Sequence, residues 1–201
     1  MKVITLANQK GGVGKSTLTV NLVHSLKDKT PTYLVDFDLQ GSSGIIKSNG
    51  YEKISTANFF KLNLKNDDGI VIIDTPPYLS TDYKRIISKS DLIIIPTKPT
   101  YFDLAATNNS IDTIIDIINS NKYPTKIGII QNMVRANSTL KNELEEVVTN
   151  FQIPLFKTFI TERVAYIRSV MLENGIYSTN DKKAQNEFNN FVNECLIFLT
   201  R

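Results

Sequence analysis

Short apolar runs alternate with stretches of helical period along most of this chain. Lys2–Ala7, Thr32–Asp36, Ile70–Asp74, Leu92–Pro96 and Lys126–Gln131 are rich in Ile, Val and Leu, and a shorter run lies near Pro154–Lys157. Continuous apolar runs of this length predict strands buried on both faces of a parallel sheet. Between them the spacing predicts helices over Lys15–Lys27, a short piece near Thr56–Leu62, then Thr81–Lys89, Leu104–Asn119, Thr139–Asn150, Glu162–Glu173 and Asp181–Leu199. The alternation implies a single α/β domain over residues 1–201: a parallel sheet with helices on both faces and no Pro/Gly-rich linker to divide it.

The last helix carries Phe188, Phe191, Val192, Cys195, Leu196 and Leu199 on one stripe. Its opposite face bears Asn189, Asn190, Asn193 and Glu194 rather than the lysines and arginines of a membrane-surface helix. It is therefore expected to pack on the domain. No run approaches a membrane span. The chain opens directly on a core strand, without a signal peptide, so a cytoplasmic location is expected.

Composition narrows this picture only a little. The 201 residues are 41% hydrophobic, as for a folded protein, and the net charge of +3 permits nucleic-acid binding without requiring it. The lone Cys195 excludes an intramolecular disulfide framework and counts against an iron–sulfur reductase. The single His24, inside the first helix, reads as a packing residue.

The chemistry is concentrated where strands end. Lys10-Gly11-Gly12-Val13-Gly14-Lys15-Ser16-Thr17 joins the first strand to the first helix. A glycine-rich turn there can wrap backbone N–H groups around phosphates, with the helix N-terminus adding partial positive charge. The ordinary phosphate-loop pattern places a glycine at position 9, where this chain has Gln9. The variant Lys-Gly-Gly-x-Gly-Lys-[Ser/Thr] fits in full. By the chemistry of such loops, Lys15 reaches the β- and γ-phosphates, Ser16 ligates Mg²⁺ and Thr17 lies near the α-phosphate. Two further strand ends carry acids: Asp36 and Asp38 in Val35-Asp36-Phe37-Asp38-Leu39-Gln40-Gly41, and Asp74 in Ile73-Asp74-Thr75-Pro76-Pro77. In an extended chain Asp36 and Asp38 face the same way, toward the phosphate site.

The variant loop, the Asp-x-Asp segment and the Asp-Thr-Pro-Pro segment together resemble the deviant Walker A ATPases, the ParA/MinD group. Phe159-Ile160-Thr161-Glu162-Arg163-Val164-Ala165-Tyr166-Ile167-Arg168 is similar to the short ParF-like plasmid-partition ATPases, a resemblance that covers nearly the whole chain. The resemblance implies an ATPase using ATP and Mg²⁺. Lys10 would reach across a homodimer to the partner's nucleotide, Asp38 would orient the attacking water, and Asp36 and Asp74 would lie at the metal. Leu39 stands where the family commonly has proline. Asn132, ending the fifth strand, would read the adenine edge or serve as a turn residue. Asp103, in the Pro96–Asp103 segment, would border the dimer face or act as a helix N-cap. Lys157, Arg163 and Arg168 would form a basic patch for the DNA backbone, or simply a solvated helix face. The function so implied is plasmid or chromosome partition near the nucleoid: non-specific DNA binding by the ATP dimer, and hydrolysis stimulated by a ParB-type centromere-binding partner. The alternatives are a MinD-like positioning ATPase at a membrane and a dethiobiotin-synthetase-like ligase; no acceptor-site cluster argues for the latter.

Overall fold

A computed structural model describes residues 1–38, 50–65, 67–121, 124–135 and 153–200. Seven parallel strands form one sheet: β1 (Lys2–Leu6), β2 (Thr32–Asp36), β3 (Glu52–Lys53), β4 (Ile70–Asp74), β5 (Leu92–Thr97), β6 (Lys126–Val134) and β7 (Ile160–Thr161), in the spatial order β3-β2-β4-β1-β5-β6-β7. The helices are α1 (Lys15–Leu26), α2 (Thr56–Phe59), α3 (Tyr83–Lys89), α4 (Tyr101–Asn121), α5 (Val164–Ser169) and α6 (Lys182–Thr200), with a 3₁₀ turn over Gly175–Ser178. The helix expected over Thr139–Asn150 lies outside the described residues, as do Leu39, Gln40 and Gly41.

Period-two alternation sorts each strand's side chains onto two faces. Ile4 and Leu6 of β1 join Leu34, Ile72 and Ile94 under α1 and α6. Ala7, Ile93, Ile95 and Ile129 face α3 and α4, while Val3, Val35, Val71 and Ile73 pack near α2 and α3. Both sheet faces are thus covered, which explains why the central strands read as continuous apolar runs. Leu18, Leu22 and Leu26, spaced one turn apart on α1, are each at most 2% exposed. Burying each contributes about 1.5–3 kcal/mol. The α6 stripe packs as its pattern predicts: Phe188, Phe191, Val192 and Cys195 are buried, with Leu196 and Leu199 against them. Phe156 stacks on Phe198 at 4.7 Å and meets Phe191 at 5.4 Å. Gly128 on β6 leaves room for that ring, since a Cβ there would stand 2.6 Å from it.

The differences from expectation lie at the margins. The stretch near Pro154–Lys157 makes only an isolated bridge, Leu155 to Ile129; the sheet's last strand is Ile160–Thr161. Neither β3 nor β7 exceeds two residues, and both are edges, whose existence depends on the neighbouring strand. The helix expected over Glu162–Glu173 is only six residues long, and the chain then tightens into the 3₁₀ turn. For position, the main point is that β1 is central. The chain lays β2, β3 and β4 on one side of it and β5, β6 and β7 on the other, so a crevice opens at its carboxyl end.

Candidate functional site

The glycine-rich loop leaves β1 at that crevice and ends as α1 begins. Gly12 and Gly14 have φ of 70° and 90°, left-handed values that L side chains rarely adopt. Gly14 sits at the N-cap of α1 and brings no side chain to cap the helix. Pro77 and Lys98 flank the loop: Pro77 Cβ lies 3.9 Å from where a Cβ on Gly11 would be, and Lys98 Nζ lies 3.8 Å from where one on Gly12 would be.

The two lysines of the loop sit in different surroundings. Lys15 is 6% exposed, and its ammonium donates to the Lys10 carbonyl at 3.0 Å, arching back over the loop. Burial holds its pKa below the ordinary lysine value, and the negative charges of Asp74 and then Asp38 draw it back up. Lys10 is half-exposed, and its ammonium stands 3.8 Å from the Asp103 carboxylate. That carboxylate is buried. Asp103 Oδ2 accepts from the Thr100 hydroxyl at 2.6 Å, while the Asp103 N–H donates to the same hydroxyl at 3.2 Å. Thr100 is therefore the cap of α4 and Asp103 its third residue, a reciprocal capping pair. The N-cap position considered for Asp103 belongs to Thr100.

Asp36 and Asp74 are register partners on adjacent strands. Asp74 is fully buried and Asp36 half-buried. The extended chain ends at Asp36, whose Oδ1 accepts the Asp38 N–H at 2.8 Å. Asp38 thus approaches Lys15 through a turn, and not through the shared strand face that i, i+2 spacing suggests. Thr75 donates its hydroxyl to the Leu6 carbonyl at 2.8 Å, tying the exit of β4 to the end of β1. Ser16 lies in the first turn of α1, half-buried, with Thr17 beside it. The Ser16 hydroxyl and the carboxylates of Asp74 and Asp36 would offer hard oxygen donors, the kind that suits Mg²⁺. Among the described residues no group of three or more His, Cys, Asp or Glu side chains is close enough to hold a metal unaided. Mg²⁺ is commonly held by one or two protein ligands with phosphate and water completing the shell, so the two observations agree.

Two residues beside the loop carry little mark in the sequence. Asn8, fully buried, donates from Nδ2 to the Pro96 carbonyl at 2.8 Å and to Thr107 at 3.2 Å. Its Oδ1 accepts from the Lys10 N–H at 2.9 Å and from Ser110 at 3.1 Å. An asparagine directly after an apolar strand is the signal that could have found it. Lys98, standing over Gly12, is the second; a lysine between two prolines at a strand end is its mark.

The other expected site residues lie farther along the chain. Asn132 is 4% exposed, and its Nδ2 donates to the Val13 carbonyl at 2.7 Å. Arg163 is engaged within the chain: Nε donates to Thr161 at 2.6 Å, and Nη1 pairs with Asp181 at 3.3 Å. Lys157 and Arg168 are exposed. The structure keeps Lys157 beside Lys183 and Glu194, in a hollow that Arg163 does not line.

Comparison with known proteins gives a consistent result. Residues 4–175 match the family model described as the CobQ/CobB/MinD/ParA nucleotide binding domain. The chain is 24% identical over 211 residues to the maintenance of carboxysome distribution protein A of Halothiobacillus neapolitanus, covering 96% of this chain and 95% of that protein. A putative plasmid partition protein of Borrelia burgdorferi, solved bound to AMPPNP, superposes with a TM-score of 0.74 at 21% identity, covering 98% of each chain. The pNOB8 ParA, solved bound to nonspecific DNA, superposes with a TM-score of 0.71 at 20% identity, covering 99% of this chain and 98% of that one. At these identities the structural likeness shows the fold.

Proposed function

We propose that this chain, which belongs to the CobQ/CobB/MinD/ParA nucleotide-binding family and is an ATPase of the ParA/MinD type, partitions DNA by forming an ATP-dependent dimer. The observation that carries the reading is the contrast between the two loop lysines. Lys15 is committed to its own loop, while Lys10 is half-exposed and leans on Asp103 through a 3.8 Å pair. A residue so placed can leave Asp103 for the phosphates of a second subunit.

The residues then divide the work. The backbone of Gly11, Gly12, Val13 and Gly14 wraps the phosphates, and Lys15 neutralises the β- and γ-phosphate charge. Ser16, Asp36 and Asp74 would hold Mg²⁺, which would supply charge neutralisation at the transferred phosphate. Asp38 accepts a hydrogen bond from the attacking water and orients it. Lys10 from the facing subunit stabilises the charge that develops on the transferred phosphate, as an arginine finger does. Lys157 and Arg168, both exposed, contact DNA phosphates without reading sequence. A ParB-type centromere-binding partner stimulates hydrolysis and resets the cycle, and the protein works in the cytoplasm on the nucleoid. Residues 1–201 act as one ATPase domain.

Sedimentation with Mg-ATP, first alone and then with DNA or with anionic liposomes, tests this reading. ATP-dependent dimers that pellet with DNA and dissociate as salt rises support it. Pelleting with liposomes and not with DNA overturns it in favour of a MinD-like role. A second reading follows from the carboxysome-distribution relative, which matches along nearly the full length of both chains: the same DNA-bound ATPase positions a protein cargo instead of a replicon. The two separate by whether a DNA-binding adaptor or a cargo-binding one stimulates hydrolysis.

A further inference from the structure

We propose that Asn132 is a positioning residue of the phosphate loop, holding the Val13 carbonyl turned away from the anion, and that Gly14, which its φ of 90° already requires to be glycine, also lets the Asn132 carboxamide occupy the place of a side chain. The proposal rests on the reading that the loop binds nucleotide phosphates. A loop that presents N–H groups inward must send the matching carbonyls outward. An outward carbonyl in a buried setting needs a donor. Val13 is fully buried, and its carbonyl receives the Asn132 Nδ2–H at 2.7 Å. The Asn132 Oδ1 is fixed in turn by the Met133 N–H at 3.0 Å, which sets the orientation of the amide.

Two independent features point the same way. A Cβ on Gly14 would stand 2.3 Å from Asn132 Nδ2 and 3.3 Å from Met133 Cε, so loop and strand end interlock there. Met133 has φ of 57°, the only non-glycine residue at positive φ among the described residues. The pairing of β6 with β7 shifts register between Asn132 and Val134, around that residue, and the irregularity accompanies the approach of Asn132 to the loop. Glycine at position 14 leaves the Val13–Gly14 peptide free to flip, because glycine tolerates both signs of φ. A flip would replace the Gly14 N–H with the Val13 carbonyl at the phosphate. The bond from Asn132 selects the orientation that binds an anion.

A residue that orients the loop acts on any triphosphate, whereas one that reads adenine acts on ATP alone. The test is binding of Mg-ATP, Mg-GTP and magnesium tripolyphosphate to the full chain and to Asn132→Ala. The expected result is a loss of about tenfold in affinity for each of the three alike, the value of one hydrogen bond to a buried carbonyl. A loss confined to ATP, or no loss, overturns the proposal. Asn132→Asp has the same shape but no donor at neutral pH, and it serves if the alanine variant does not fold. It should weaken all three ligands, and an ATP-only loss in it is equally fatal. Wild-type chain that binds ATP but not tripolyphosphate even at high concentration would instead overturn the phosphate-loop reading on which the proposal stands.

Discussion

The two halves of the phosphate loop are held by different parts of the molecule. The first half, Asn8 to Lys10, is fastened to β5 and α4. Asn8 bonds Pro96, Thr107 and Ser110, and Gln9 bonds Ser110 at 3.0 Å and Thr113 at 3.2 Å. Lys10 leans on Asp103 of α4. The second half, Val13 to Ser16, is fastened to β6 through Asn132, and Lys15 closes back on the Lys10 carbonyl. The first half is bonded along its backbone yet ends in a half-exposed ammonium. The second alternates buried Val13 and Lys15 with half-buried Gly14 and Ser16, and glycine supplies the shape. A bonded backbone and a half-exposed side chain are therefore compatible within one short loop, which is the arrangement the proposed contact of Lys10 with a second subunit calls for.

Substitutions in each half sharpen the contrast. The largest effect is expected from Lys15→Ala in the second half: ATP affinity falls by about a hundredfold or more, since a buried charge-assisted contact to phosphate has no substitute. Titration with a fluorescent ATP analogue reads this directly. Lys10→Ala, in the first half, should leave the monomer's ATP affinity within about threefold but abolish the ATP dimer and lower hydrolysis by about a thousandfold, the scale of an arginine finger. Size-exclusion light scattering beside a phosphate-release assay separates those outcomes. If the variant dimerises and turns over normally, the two halves are not functionally distinct.

Asn8→Ala attacks the anchor rather than the charge. Four hydrogen bonds in a fully buried site lose their partner, so stability against urea should fall by about 2–3 kcal/mol, with nucleotide binding weakened as the loop loosens. Asp103→Asn is milder. The pair is partly exposed, so stability should shift by less than about 1 kcal/mol. The release of Lys10 should reduce the ATP concentration needed for dimerisation, by about threefold at most, within the range of one partly exposed ion pair. Half-saturation of dimer formation is the readout.

The least effect on the loop is expected at the far end of α1. Burial, helped by Lys27 and opposed by Asp28, lowers the His24 pKa to about 4. Its ring meets Tyr51 edge-on at 5.6 Å. An unfolded histidine titrates near about 6.5, so between these values the unfolded chain binds the extra proton. Stability should then decline as pH falls from about 6.5 to about 4. His24→Phe should flatten that slope in urea midpoints while leaving ATP affinity at neutral pH unchanged.

Much of the molecule is legible in the amino-acid pattern. The five long strands, α1 and the packing of α6 follow from apolar runs and stripes, because burying them on a parallel sheet demands that pattern. The loop is legible because its glycines answer a backbone requirement: Gly12 and Gly14 do adopt positive φ. Less is legible about what each polar group touches. Asp36 turns its carboxylate to the Asp38 N–H, Arg163 meets Asp181 across a separation of 18 residues, and Thr100 takes the cap for which Asp103 is the other candidate. The edge strands β3 and β7 escape the pattern because two residues carry no period of their own.

The sequence by itself determined the five long strands of the sheet, the loop's backbone shape and the set of charged residues at the strand ends, since these rest on side-chain period and on the freedom of glycine, both local properties. Only the tertiary structure decided which donor meets which acceptor: Asn132 on Val13, Asn8 on α4, Lys10 on Asp103. Those bonds join residues up to 119 positions apart. A hydrogen bond forms or fails within a few tenths of an ångström, a precision that spacing along a chain does not carry.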